Sequence, residues 1–307
     1  MLAVLLIEKI VSLFLILLAG AALVRWRILS SRDSRILSLL LLYLLMPCVI
    51  LNAFQVDFTP EVGGALALAF AASILIHVLL VAGNRLLKKP LGLDPVEQMS
   101  VIYPNAGNLI IPLVTSMLGG EWVIYTSAFI TVQMVLIWTH GQSVLCGEGR
   151  FAWRKILRNP NMIAILAGIF LFATRLRFPG PVDDAITSLG SMVGPASMLL
   201  TGMLIGGMDL RRMLSHRRLW LVAGLRLIAV PLLTLALIKY SGITSLLPGG
   251  ADVLLVTFLA TCSPSASSVT SMAQVYGKDA DYASAINVAT TLCCIVTMPL
   301  MVALYTL

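Results

Sequence analysis

Two short segments carry the residue types that could do chemistry inside an otherwise apolar chain: Tyr103-Pro104-Asn105-Ala106-Gly107-Asn108 and, 160 positions later, Ser263-Pro264-Ser265-Ala266-Ser267-Ser268. A proline inside a helix removes a backbone donor and clashes with the preceding turn, so each segment predicts a helix that breaks and frees backbone groups. At bilayer depth, freed groups are tolerated only where they line a cavity or are buried in protein. Where two half-helices meet, unpaired N–H groups and positive dipole ends converge on one spot, which suits a carboxylate. Asn105 and Asn108 add amide donors there, and Ser265, Ser267 and Ser268 add hydroxyls. Paired broken helices in corresponding positions of two half-chains point to the binding site of a secondary transporter.

The elements that must position these segments follow from composition. Of 307 residues, 59% are hydrophobic and only 11% are charged, with a mean hydropathy of +0.97. Such values lie outside the range of soluble domains, and they predict an all-α polytopic membrane protein. Spans of about 20 residues joined by short loops leave room for roughly ten helices. They are expected near residues 4–24, 36–54, 63–83, 96–117, 122–145, 160–178, 186–208, 219–239, 251–273 and 282–305. The two proline segments interrupt the fourth and ninth.

The distribution of basic residues orients these spans. Sixteen of the 21 Lys and Arg residues lie in odd-numbered connections, such as Arg25 to Arg35, Arg150 to Arg158 and Arg211 to Arg218. Only Lys9, Arg175, Arg177 and Lys239 lie at the N-terminus or in even-numbered connections, and Arg226 falls inside the eighth span. Positive charge marks the cytoplasmic side, so both termini are expected outside. Ten spans divide into five and five, and an odd number per half makes the second half cross in the opposite sense. The expectation is two inverted five-helix repeats, 1–146 and 159–307, joined by a basic cytoplasmic hinge loop at 147–158.

Other classes are excluded from the same residues. The net charge of +7 comes from span ends and gives no reason to expect nucleic acid as a partner. Cys48, Cys146, Cys262, Cys293 and Cys294 lack metal-ligand spacing and read as small core residues. His77 and His140 stand alone in apolar runs, where hydrogen-bonded helix residues are the default reading. No metal or cofactor is implied. There is no midplane aspartate pair and no His-Glu-x-x-His, so an intramembrane protease and enzyme function in general are not expected. The apolar run from Val11 to Val24 is followed by Arg25 and Arg27 rather than a cleavage site and reads as a retained span.

Pro104-Asn105-Ala106-Gly107-Asn108 with Ile111-Pro112-Leu113, then Pro264-Ser265-Ala266 with Ala273 and Tyr276, and finally Ala283 through Thr297-Met298-Pro299-Leu300, resemble the auxin efflux carrier family. That family includes the plant PIN carriers and many bacterial transporters of organic anions, and the resemblance spans essentially the whole chain. It implies a fold like that of sodium–proton antiporters and bile-acid symporters, in which the broken fourth and ninth helices cross. Spans three to five and eight to ten would form a mobile transport domain. Spans one, two, six and seven would form a scaffold and a homodimer interface, and an elevator movement would expose substrate to alternate sides. The implied substrate residues are Pro104, Asn105, Asn108, Gln133, Pro264 and Ser265. At Ser265 the family often carries an amide, and the shorter hydroxyl makes contact with substrate harder. The plant carriers' long loop after the fifth span is reduced here to about a dozen residues, which removes regulation through it. Compact loops point to a bacterial cell membrane.

Several residues carry blander readings. Ser267, Ser268 and Asn287 are expected to join helices, an interaction worth roughly 1 kcal/mol. Pro47, Pro195, Pro231 and Pro299 are expected to kink, and Gly190, Gly194, Gly202 and Gly206 to pack helices. Arg226 is expected to snorkel to the cytoplasmic surface. No acidic residue lies beside either crossover proline, and Glu97, seven positions before Pro104, reads as a gate or end-cap. Coupling cations usually need a midplane carboxylate, so transport is expected not to be obligatorily sodium-coupled. The substrate class expected is a mono- or dicarboxylate. The alternatives are a sodium-coupled symporter of the bile-acid type and a receptor built on a transporter fold.

Overall fold

A computed structural model describes residues 2–57, 59–146, 157–209 and 215–307. Most of the expected hinge, 147–156, lies outside the described residues, as do Arg211 and Arg212. Among the described residues the chain is helical throughout, with no strand and one isolated bridge between Pro104 and Ser265.

The helices are α1 (Leu2–Arg25), α2 (Ser34–Leu40), α3 (Met46–Ala53), α4 (Pro60–Leu87), α5 (Pro95–Ile102), α6 (Ile111–Met117), α7 (Val123–Leu136), α8 (Gln142–Cys146), α9 (Pro160–Thr174), α10 (Gly180–Ser191), α11 (Val193–Gly206), α12 (Arg217–Gly224), α13 (Val230–Tyr240), α14 (Gly250–Cys262), α15 (Ser267–Val275) and α16 (Ala280–Thr306). Among the described residues, six helical stretches are long and apolar enough to cross a bilayer: Ser31–Ala53, Pro60–Leu87, Gly120–Leu145, Gly180–Gly206, Arg217–Tyr240 and Ala280–Thr306. Four shorter apolar helices are Val11–Arg25, Ala106–Met117, Pro160–Thr174 and Gly250–Cys262. The stretch expected at 186–208 begins earlier, at Gly180, and turns at Met192 before α11, while α9 stops at Thr174 because Arg175 takes up a left-handed backbone (φ 58°).

Local chemistry explains the starts. Thr59 caps α4 through Val62 N at 3.2 Å, Asn159 caps α9 through Asn161 N at 3.0 Å, and each is followed by proline at the first helical position. At α5, Asp94 accepts from Glu97 N at 2.9 Å and Glu97 returns the bond to Asp94 N at 3.0 Å, a capping box followed by Pro95.

Proline also shapes helix interiors. Wide π-turns occupy Leu41–Leu45, Ala106–Ile110 and Leu225–Ala229, and each is followed two residues on by Pro47, Pro112 or Pro231. The central residue of each turn, Tyr43, Asn108 or Leu227, stands four positions before its proline. The proline ring crowds the carbonyl four residues back and supplies no donor to it, so the turn opens by one residue. A fourth π-turn, Ile137–Gly141, has no proline after it.

Packing falls into two groups. In one, α3 packs on α9 and α10, and α11 packs on α1 and α2. In the other, α4 packs on α7 and α14, and α16 packs on α5, α12, α14 and α15. The groups meet where α1 packs on α16 and α3 on α7, and the turn Ala106–Ile110 and α6 touch both, meeting α11 on one side and α7 on the other. The α1–α11 seam is the tightest feature: a Cβ on Gly20, Gly202 or Gly206 would strike the backbone of Leu199, Leu17 or Ala21. Outward faces remain apolar, with Leu15, Leu18, Ile36, Tyr43, Ile74 and Leu233 exposed, as a lipid-facing surface requires.

Candidate functional site

Both broken helices end by the same local rule. The residue before a proline is pushed out of the helical region, and Tyr103 (φ −101°, ψ 111°) and Ser263 (φ −74°, ψ 157°) are both extended. The two extended segments then pair with each other. Asn105 N donates to Pro264 O at 2.8 Å, and Ala266 N donates to Tyr103 O at 2.9 Å. The crossover is therefore a two-bond antiparallel bridge, from which α6 and α15 depart.

Carbonyl oxygens around the bridge are taken one by one. Met99 O accepts from Tyr103 N at 3.0 Å, and Gln133 Nε2 donates to Pro104 O at 2.8 Å. Asn287 Nδ2 donates to Ser265 O. Arg226 donates Nη1 to Val101 O at 2.9 Å, Nη2 to Thr261 O at 2.6 Å and Nε to Ser263 O at 3.0 Å. Thus Gln133 and Asn287, each from the last helical stretch of its half, hold one arm apiece. Ser265 N is held as well, donating to Thr290 Oγ1 at 3.1 Å.

Donors on the other side are not taken. Among the described residues, nothing accepts from the N–H groups of Ala106, Gly107, Asn108, Ser267 or Ser268, which open the first turns of the departing half-helices. The Asn105 side chain is half-buried and makes no hydrogen bond within the described residues. Asn108 Nδ2 donates to Ser267 Oγ at 3.2 Å, tying the two arms together. The Asn108 carbonyl accepts from Ser197 Oγ of α11 at 2.8 Å. Gly107 passes close to Met46, whose flexible terminal methyl would have to shift to admit a Cβ, which it would meet at 2.7 Å.

The six residues expected at the site are all at the crossover or directly bonded to it, in different roles. Pro104 and Pro264 set the breaks, Asn105 presents a free amide, and Asn108 bridges the arms. Gln133 spends its donor on Pro104, while its Oε1 is buried without a partner. Ser265 is fully buried, with its Oγ also unpartnered. Asn287 joins helices as expected. Arg226 does not snorkel: it is 0% exposed, because three carbonyls at the helix breaks offer it better partners than the distant surface. Sequence reasoning missed Thr290 and gave no role to Tyr103, whose hydroxyl donates to Leu136 O at 3.0 Å and lies 3.0 Å from His140 Nδ1.

A second polar cluster lies at the starts of α5, α12 and α16. Glu97 is 0% exposed and binds Arg218 through two oxygens, with Nε to Oε1 at 2.7 Å, and it accepts from Tyr282 at 3.0 Å. Glu97 is thus both end-cap and clamp. Beside it opens a cavity of about 750 Å³ whose walls mix Asp94, Asp279 and Asp281 with His216 and Arg217. Partial burial pushes the Asp94 carboxyl up from its ordinary value. Its lining mixes carboxylates with cationic side chains and includes none of the crossover residues. Among the described residues no cluster of His, Cys, Asp or Glu could hold a metal ion, and Cys48, Cys262, Cys293 and Cys294 are free thiols; Cys146 lies outside those whose side chains are described.

No curated protein gives a significant sequence match. A family model described as "Membrane transport protein" matches residues 5–150 and again 148–302. Those two matches cover nearly the whole chain and both crossover arms, and so this chain belongs to that membrane transport family, the auxin efflux carrier and PIN-like proteins, as a multi-pass membrane transporter.

Proposed function

We propose that the chain is a secondary carrier moving a small organic anion, a carboxylate, across the cell membrane. The observation that carries this reading is the asymmetry of the crossover: its carbonyl acceptors are engaged, while the N–H groups opening α6 and α15 and the Asn105 amide are left as donors. A site with donors to spare and acceptors spent favours an anion. In this reading the chain crosses the membrane ten times as two inverted repeats, with both termini outside. The group of α1, α2, α3, α9, α10 and α11 would be the scaffold and carry a homodimer interface. The other group would slide as an elevator, and the Ser197–Asn108 bond between them would break in each cycle.

Charge movement on a solid-supported membrane tests the reading. Purified protein in liposomes is challenged with a panel of mono- and dicarboxylates, with and without sodium, beside Asn105→Ala. A sodium-independent current for one class, lost in the variant, is the expected result. A current that needs sodium would replace this reading with the sodium-coupled symporter. Silence in the panel and in tracer uptake under a pH gradient would overturn carboxylate transport.

A further inference from the structure

Arg226 is the largest fully buried side chain of the described structure, at 0% exposure. Its partners are all neutral carbonyl oxygens: Val101 O at the end of α5, and Thr261 O and Ser263 O at the end of α14. Among the described residues no carboxylate lies within ion-pair distance of it. A buried cation without a counter-ion is costly unless its surroundings supply negative potential. Here two helix C-termini do so, each carrying about half a negative charge from its unpaired carbonyls. A guanidinium suits the task because its donors form a rigid planar fork and it keeps its charge when buried. One side chain therefore reaches both breaks, which lie in different halves of the chain.

Its position depends on the π-turn Leu225–Ala229, opened by Pro231. The extra residue per turn re-aims the side chains within it, and Arg226 points into the protein rather than along a lipid-facing stripe. Its immediate surroundings are otherwise uncharged, with Cys262 and Cys294 beside it and the Cys294 thiol on Cys262 O at 3.6 Å. The geometry thus contains the partners a bound monovalent cation would want, backbone carbonyls at two half-helix ends, already occupied by a charge attached to the chain.

We infer that Arg226 is the crossover's built-in cation: a tethered positive charge that serves both half-helix C-termini and takes the place a coupling sodium ion would otherwise fill. It is a positioning residue, acting on substrate only through the bridge it holds. The inference rests on the crossover being the transport site. It explains how the chain dispenses with a midplane carboxylate, since there is no exchangeable cation to coordinate.

The test compares wild type with Arg226→Lys, Arg226→Gln and Arg226→Ala, each as full chain in detergent, by melting temperature in choline chloride, in sodium chloride and with millimolar guanidinium. Melting needs no substrate, so failure of carboxylate uptake leaves this result readable. Wild type should melt alike in choline and sodium. Arg226→Gln should melt lower by about 10 °C, Arg226→Lys should stay nearer to wild type, and Arg226→Ala should regain stability in guanidinium or sodium. A purely steric role would not create that cation dependence. If Arg226→Gln melts like wild type the inference is overturned, as it is if Arg226→Ala folds but responds to no cation. If the neutral variants cannot be purified, wild type decides: equality in sodium and choline supports the inference, and stabilisation by sodium overturns it.

Discussion

The two crossover arms share a backbone rule and differ in how firmly they are held. In the second arm, Ser265 is fixed at its N–H by Thr290 and at its carbonyl by Asn287, both from α16, and is wholly buried. In the first arm, Asn105 uses its backbone N–H in the bridge but keeps its side chain unbonded and half-buried, and Asn108 reaches across to α11. Both arms offer N–H donors, but the second is pinned at Ser265 as an anchor, whereas the first also presents a free side-chain amide at Asn105 and touches the neighbouring group of helices through Asn108. Similar sequences at symmetric positions can therefore carry unequal duties, because neighbours decide what each polar group has left to offer.

That contrast can be broken most forcefully at the anchor. Asn287→Leu leaves the Ser265 carbonyl unpaired in a dry interior, a loss of about 1–3 kcal/mol. The melting temperature should fall and uptake should fall with it; unchanged melting would refute the anchor. At the presenting arm the expectation is inverted. Asn105→Ala should cut uptake tenfold or more, about 1.4 kcal/mol of binding, while melting stays nearly unchanged, because the side chain supports nothing. Equal loss of both would erase the distinction between arms.

Smaller effects sharpen it further. Gln133→Leu removes the donor on Pro104 but also an unpartnered Oε1, so the two changes offset and the net cost should be about 1 kcal/mol, read by chemical or thermal unfolding. Ser265→Ala removes a buried hydroxyl that bonds to nothing. It should be neutral or stabilising by about 0.5 kcal/mol, with uptake close to that of wild type; a large loss of uptake would make Ser265 a substrate ligand after all.

Much of this was legible from the chain. Prolines Pro104 and Pro264 inside apolar runs announce the breaks, because their effect on the preceding residue is local. Asn105 and Asn108 were visible because amides are rare at that depth. What stayed hidden depended on partners far along the chain. Arg226 reads as a surface-seeking side chain until its carbonyls, 125 residues earlier at Val101 and 35 later at Thr261, are in place. Gln133 could be put near the crossover by resemblance, but spending its donor on Pro104 is a matter of three-dimensional geometry. The π-turns were hidden for a different reason: a proline predicts a disturbance, and only packing decides between a kink and a widened turn.

The glycine seam between α1 and α11 has a consequence in time. Leu17 and Gly202 lie on opposite sides of that seam, about 185 residues apart, so synthesis at 5–20 residues per second separates them by roughly 10 to 40 s. During that interval α1 sits in the bilayer with its small-residue face, around Gly20 and Ala21, unmatched. The closest packing in the molecule thus waits until the second half of the chain is made, and any bulkier residue at Gly20 or Gly202 should show up as a nascent chain that inserts normally yet fails in assembly and is degraded.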